Sequence, residues 1–206
     1  MNTKFLTLSA TAIAAAIALA GCSTGTGPGS TGTSMPGMDH GSSTSAPASS
    51  ATAASAEHNA ADVMFARMMI PHHAQAVQMS EMMLAKKDIP AEVTALATRI
   101  KAAQGPEIAT MTGWLQSWNE PTTMPSAHSM DGMMGEDDMK KLDAAQGTEA
   151  ARLFLKQMTA HHEGAVMMAK TENTDGKNPD AVNLSKAIVT AQEAEIQEMQ
   201  NLLAKL

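Results

Sequence analysis

From about residue 58 to the end of the chain, apolar side chains recur every three or four positions, and no stretch shows the two-residue alternation of a strand. Helix breakers divide this pattern: Asp88-Ile89-Pro90, Asn119-Glu120-Pro121 and the run from Asn173 to Gly176. The spacing predicts helices over 59–86, about 90–118, about 147–173 and about 178–206. A loop rich in Met, Pro, Ser and Gly covers 119–135, and a short helix is expected over 136–145. Long helices joined in pairs by short turns make two helical hairpins, the usual route to an all-α, up-down four-helix bundle.

The hairpins, at about 59–118 and 147–206, are copies of each other. Phe65, Met69, His72, His73, Ala76, Val77 and Met79 recur 89 residues later as Phe154, Met158, His161, His162, Ala165, Val166 and Met168. The second helices match at an offset of 88, where Leu96, Ile100, Gln104, Glu107, Ile108, Met111 and Leu115 become Leu184, Ile188, Gln192, Glu195, Ile196, Met199 and Leu203. Duplication of this kind implies pseudo-two-fold symmetry, which draws equivalent residues towards a shared axis.

Each stripe carries chemistry. Phe65, Met69, His72, Ala76, Met79 and Met83 lie on one helical face, as do Phe154, Met158, His161, Ala165 and Met168. Opposite them, Gln104, Glu107 and Met111 share a face, and so do Gln192, Glu195 and Met199. His73 and His162 fall 100° round, at the boundary of the stripe, within reach of Met69 and Met158 one turn back. A methionine stripe alone is packing. Two adjacent histidines repeated in both copies and flanked by methionine take up core volume to little purpose unless they bind something. Imidazole with thioether suits copper, above all Cu(I), whereas Mg²⁺ and Ca²⁺ want oxygen and zinc rarely takes thioether. The candidate ligands are therefore His72, His73, His161, His162, Met69, Met79, Met158 and Met168. Glu107 and Glu195 are placed to orient a histidine each. A di-iron centre would need Glu-x-x-His, and Met69 and Met158 stand where those glutamates would be.

Residues 1–21 read as a secretory signal ending in Leu19-Ala20-Gly21-Cys22, a lipobox-like pattern that would leave Cys22 as a lipidated first residue. Residues 22–57 are nearly all Ser, Thr, Gly, Ala and Pro, a tether unable to bury enough apolar surface to order itself. The expected location is therefore extracytoplasmic, on the membrane through a lipid anchor. Met35, Met38 and His40 in the tether, and Met124, His128, Met130, Met133 and Met134 in the loop, form accessory clusters suited to collecting soft metal ions.

Composition narrows the function further. Nineteen methionines stand against five aromatic residues, and the net charge of −7 becomes −8 once Lys4 leaves with the signal. An acidic chain with so few rings has no footprint for nucleic acid. Its single cysteine excludes disulfide frameworks, Cys-based zinc sites and c-type haem attachment. Pro71 precedes the first His-His pair where the second copy has Ala160, and Pro106 faces Ala194, so the two halves are not chemically equal.

Met69-Ile-Pro-His72-His73 with Met79, and Gln104-x-x-Glu107-Ile-x-x-Met111, resemble the bacterial domain-of-unknown-function family 305 over residues 58–206, in both copies. That family comprises ferritin-like four-helix proteins and includes the CopM-type copper binders. The resemblance implies copper binding, buffering or handing on the ion, rather than catalysis. It adds Asp62, Gln104, Glu107, Met111, Gln192, Glu195 and Met199 as ligands or supporting groups. The Asp three before the phenylalanine is Asp62 in the first copy but Ala151 in the second. Two readings from other classes stand beside this one. A structural or adaptor bundle at the cell envelope would bury its histidines without metal, and a metal-dependent oxidoreductase would need a substrate pocket for which the sequence holds no motif. Other copper-handling proteins are the expected partners.

Overall fold

The structure, a computed structural model, describes residues 57–123 and 130–206. The expected signal segment, Cys22, the tether up to residue 56, Met35, Met38, His40, Met124 and His128 lie outside the described residues. Five helices follow in order: α1 (Ala60–Ala85), α2 (Ala91–Ser117), α3 (Glu136–Ala144), α4 (Gly147–Asp175) and α5 (Pro179–Leu203). Their ends fall within three residues of those expected. Among the described residues no helix is long and apolar enough to cross a membrane.

Local chemistry explains the helix ends. Asn59 caps α1, its side chain accepting from the backbone N–H groups of Ala61 and Asp62, while Asp62 reaches back to the Asn59 N–H at 2.6 Å. Asn178 caps α5 by accepting from Asp180 and Ala181, with Pro179 in the first turn where its missing N–H costs nothing. Pro71 and Pro106 sit inside α1 and α2, which run through them unbroken.

The four long helices form the expected bundle. Helix α1 packs on α2 and α4 on α5, and the two hairpins face each other through α1 and α4. Those central helices are antiparallel. Asn59, at the start of α1, donates to the Asp175 carbonyl at the end of α4 (2.8 Å), and Lys86, just past α1, donates to the Asp143 carbonyl just before α4 (2.6 Å). Helix α2 therefore ends at the opposite end from where α4 begins, since Trp118 stacks on His58 beside the start of α1 at 4.5 Å. The link between hairpins is a crossover running the length of the bundle, as in ferritin-like folds. Helix α3, within that crossover, lies against α1 and α4 with Leu142 fully buried, and Gln157 of α4 donates to the Asp138 carbonyl at 3.1 Å.

The core is not continuous. One apolar cluster gathers Met79, Met83, Leu96, Ile100, Phe154, Met158 and Met199; another gathers Phe65, Met69, Met111, Leu115, Trp118, Ala165 and Ile188. Between them lie the buried histidines. Repeat mates fall in opposite clusters, Met69 against Met158 and Met111 against Met199, as the duplication requires.

Asp62 is fully buried at the α1 end. Beyond the capping box, its other oxygen accepts from the backbone N–H groups of Lys177 and Asn178 at 3.0 and 2.9 Å. It ties the start of α1 to the α4–α5 turn. Ten residues of helix, about 15 Å, separate it from His72, so the expected place of Asp62 beside the metal ligands is corrected to a structural one. Replacing it removes the acceptor of three charge-assisted bonds to backbone N–H groups, one of them buried and two partly buried. Asp62→Ala is expected to lower stability by about 2–4 kcal/mol, read as a fall in the urea midpoint with an unchanged slope.

Candidate metal centre

The pseudo-two-fold axis passes between His72 and His161. Their rings meet with centroids 3.7 Å apart, tilted by 39°, where antiparallel α1 and α4 cross the middle of the bundle. His73 and His162 are equally buried, closer to the core than the boundary position the helical wheel gives them. Each is bound by the glutamate of its own hairpin: His73 Nε2 lies 2.7 Å from Glu107 Oε2, and His162 Nε2 lies 2.7 Å from Glu195 Oε2. A carboxylate only accepts, so the Nε2 hydrogen donates to it. In the neutral ring this leaves the Nδ1 lone pair facing the interior. The glutamates, about a fifth exposed on their side chains, connect the layer to solvent.

The inner side of this layer lacks partners. Among the described residues, both ring nitrogens of His72 and of His161, and Nδ1 of His73 and of His162, meet no hydrogen-bond partner; neither do the Gln104 and Gln192 side-chain oxygens. Burial drives the His72 and His161 rings towards the uncharged form. It takes the His72 pKa down to about 3, aided by neighbouring His73 and opposed by the nearby Asp131 backbone, and takes His161 down to about 2, aided by His72. Neutral imidazoles with free lone pairs are the state that binds metal.

The methionines divide by height. Met69 and Met158 stand one turn from their own histidines, and antiparallel pairing puts them on opposite sides of the layer, Met69 in the cluster with Ala165 and Met158 in the cluster with Ala76. Met111 and Met199, one turn from Glu107 and Glu195, join them and are fully buried. Met79 and Met168 lie seven residues beyond their histidines, about 10 Å along the axis. That is too far for an ion held by the histidine pair on the same helix. Met79 is core, and Met168 is half-buried at the surface. Among the described residues no three imidazole, thiolate or carboxylate groups are gathered into a ready-made ion site, so an ion here would draw on thioether as well as imidazole.

One feature escaped the sequence reading. The crossover passes directly over the histidine layer. Gly132, with φ +82°, is packed so closely that a Cβ there would meet the carbonyls of Ala160 and His161, and a Cβ on Gly164 would run into the Asp131 carbonyl. On the other hairpin Gln75 holds Met134 by both backbone groups, donating to its carbonyl at 2.9 Å and accepting from its N–H at 2.7 Å. Gln75 and Gly164 are repeat mates, so a mismatch beside the duplicated histidines was the available signal. The strap brings Met130, Met133 and Met134 of the expected loop cluster to the bundle's middle.

The arrangement defines a class: a four-helix bundle with a buried histidine layer between methionine-bearing halves of its core. The family described as a domain of unknown function, DUF305, matches residues 62–203, and the chain belongs to it. A putative secreted DUF305 protein from Streptomyces coelicolor is 36% identical with a TM-score of 0.68, the match covering 70% of this chain and 93% of that one. A DUF305 fragment from Deinococcus radiodurans is 31% identical (TM-score 0.66; 72% and 98% covered). CopM in its Cu(I)-bound form is 35% identical (TM-score 0.59; 70% and 96% covered), and CopM structures with Cu(II) and with Ag are also similar. Metal binding thus occurs within the family. None of the curated proteins matches the chain.

Acid should expose the cost of this layer. A histidine whose folded pKa lies below its unfolded value contributes stability that is whole above pH 6.5 and is lost as pH falls towards 3 or 2, because the unfolded chain takes up the proton first. Each contributes a slope of about 1.4 kcal/mol per pH unit in that window. Glu172, raised to about 8 by burial and by Asp62, slopes the opposite way between pH 4.5 and 8, so the comparison must be between variants. Between pH 6 and 4.5, His72→Leu with His161→Leu should flatten the rise of unfolding free energy with pH relative to the unchanged chain, measured by urea titration.

Proposed function

We propose that this chain is an extracytoplasmic, lipid-anchored copper-binding protein that holds Cu(I) in the histidine layer and buffers the ion or hands it on. The observation that carries this reading is the set of six partnerless ring nitrogens buried at the symmetry axis. A neutral imidazole in a dry core gains a partner by accepting a soft cation, and thioether sulfur at Met69 and Met158 completes a ligand set suited to Cu(I). Glu107 and Glu195 act through His73 and His162, fixing which nitrogen faces inward and raising its basicity. Met111 and Met199, at the height of Met69 and Met158, are the nearest further sulfur donors.

CopM, 35% identical, was crystallised with Cu(I), Cu(II) and Ag, which supports a soft-metal role for its relative here. The lipobox-like sequence at Cys22 and the secreted description of the Streptomyces relative support a place outside the cytoplasm. The accessory methionines and histidines of the tether and crossover fit a surface that gathers ions for the interior.

The test is an anaerobic Cu(I) titration of residues 23–206 against a chromophoric Cu(I) chelator. The quadruple His72, His73, His161, His162→Ala variant and the double Met69, Met158→Leu variant are run alongside, with helicity checked by circular dichroism. Tight binding is expected in the unchanged chain, with loss of the tight site in the histidine variant and at least tenfold weakening in the methionine variant. Full retention of tight binding by a folded histidine variant would move the site to the Met-rich segments, and no binding by the unchanged chain would leave a structural bundle.

A further inference from the structure

The pseudo-symmetry makes two grooves between α1 and α4, one towards each end of the bundle, and among the described residues a helix fills only one. At the end where α4 begins, α3 lies across the groove. Leu142 is inserted into the core, the Asp138 carbonyl receives Gln157, and Leu153 and Met82 pack beneath. At the other end no helix of the described residues covers the groove. There a cavity of about 200 Å³ is lined by Met64, Met68, Phe65, Met168, Thr171 and Glu172, with Ala61 at its side.

Its lining departs from the covered groove in a chemically consistent way. By the 89-residue repeat, Met64 and Met68 stand where Leu153 and Gln157 stand in the covered groove, and Glu172 stands in place of Met83. Met64 is 48% exposed, and Met68 and Met168 are half-buried. Packing does not account for a thioether so open to water. Met64 and Met68 are one turn apart on α1, Met168 and Glu172 one turn apart on α4, so two pairs face across the groove.

Glu172 supplies the second observation. Its side chain is 99% buried, and its polar neighbour is the carboxyl group of Asp62, with which it shares a hydrogen bond. The Asp62 oxygens also accept from the backbone groups of Asn59, Lys177 and Asn178. Gly176 makes room for the carboxyl group, since a Cβ at that position would overlap it. A buried carboxyl group that shares a proton with a second carboxyl, lining a cavity that three thioethers share, is a place where a cation can replace that proton, and thioether sulfur selects a soft one.

We infer that Met64, Met68, Met168 and Glu172 form a second, solvent-accessible site for a soft monovalent cation, Cu(I) or Ag(I), separate from the histidine layer. One positive charge on three neutral sulfurs is balanced at the Glu172–Asp62 pair, the ion taking the place of the proton that the two carboxyl groups share. The site lies at the start of α1 and end of α4, where an ion arriving from solvent meets thioether before imidazole. It uses no residue of the histidine layer and stands or falls independently of that assignment.

Silver nitrate titrated into protein carrying ¹³C-methyl methionine, in chloride-free buffer, reads each thioether separately. Resonances are assigned by single Met→Leu substitutions, which keep volume and are well tolerated in packed sites. The Met64, Met68 and Met168 methyls are expected to shift together and saturate with one equivalent of Ag(I). Glu172→Gln is expected to weaken that group response at least tenfold while leaving the Met69 and Met158 methyls responding as before. The inference is overturned if the three methyls respond at different silver concentrations, if only exposed Met64 responds, or if Glu172→Gln leaves their response unchanged. Failure of the histidine layer would appear instead in the Met69 and Met158 methyls of the same spectra.

Discussion

The structure depends on holding four imidazoles at the centre of a bundle held together by apolar contact. A buried polar atom without a partner costs about 1–3 kcal/mol, so ring nitrogens that no protein group meets weigh against folding. Replacing the layer by leucine would remove that cost, and the repeat shows the layer built twice. The two glutamates reduce the cost only on the outer side, where His73 and His162 donate at 2.7 Å. The inner side has most to gain from a ligand, and burial has already removed the competing proton from His72 and His161. Desolvation therefore both destabilises the layer and keeps the His72 and His161 nitrogens free of protons.

Much of this was readable from residue spacing. Helical period, Pro and Asn punctuation, and the 89-residue repeat were enough for the four long helices, because these signals are local and their stripes are wide. The repeat also implied that His72 and His161 would converge, since symmetry mates on facing helices meet at the axis; they do, at 3.7 Å. Depth was harder to read. A helical wheel places His73 and His162 at an edge, but α2 and α5 close over that edge with Glu107 and Glu195. Height along the axis was missed as well. Met79 and Met168 share the histidine stripe, yet antiparallel packing carries them two turns away into different surroundings. The crossover's path over the layer depends on Gly132, Gly164 and Gln75, residues whose meaning appears only when three segments meet.

The breaks in the duplication carry as much information as the matches. Asp62 and Ala151 differ because the two ends of the bundle are closed differently. At one end a carboxylate gathers the N–H groups of the α4–α5 turn; at the other, Gly147, at φ +54°, brings its main chain towards the Asp88 carbonyl. Gln75 and Gly164 differ because a single strap crosses an axis that has two sides. Helix α3 covers one groove between α1 and α4, and the uncovered one holds Met64, Met68 and Glu172 where its partner holds Leu153, Gln157 and Met83. A symmetric bundle would present the same approach to its histidine layer from either end. Here α3 lies across one groove and thioether lines the other, so the two ends of the bundle differ chemically although the histidine layer between them is symmetric.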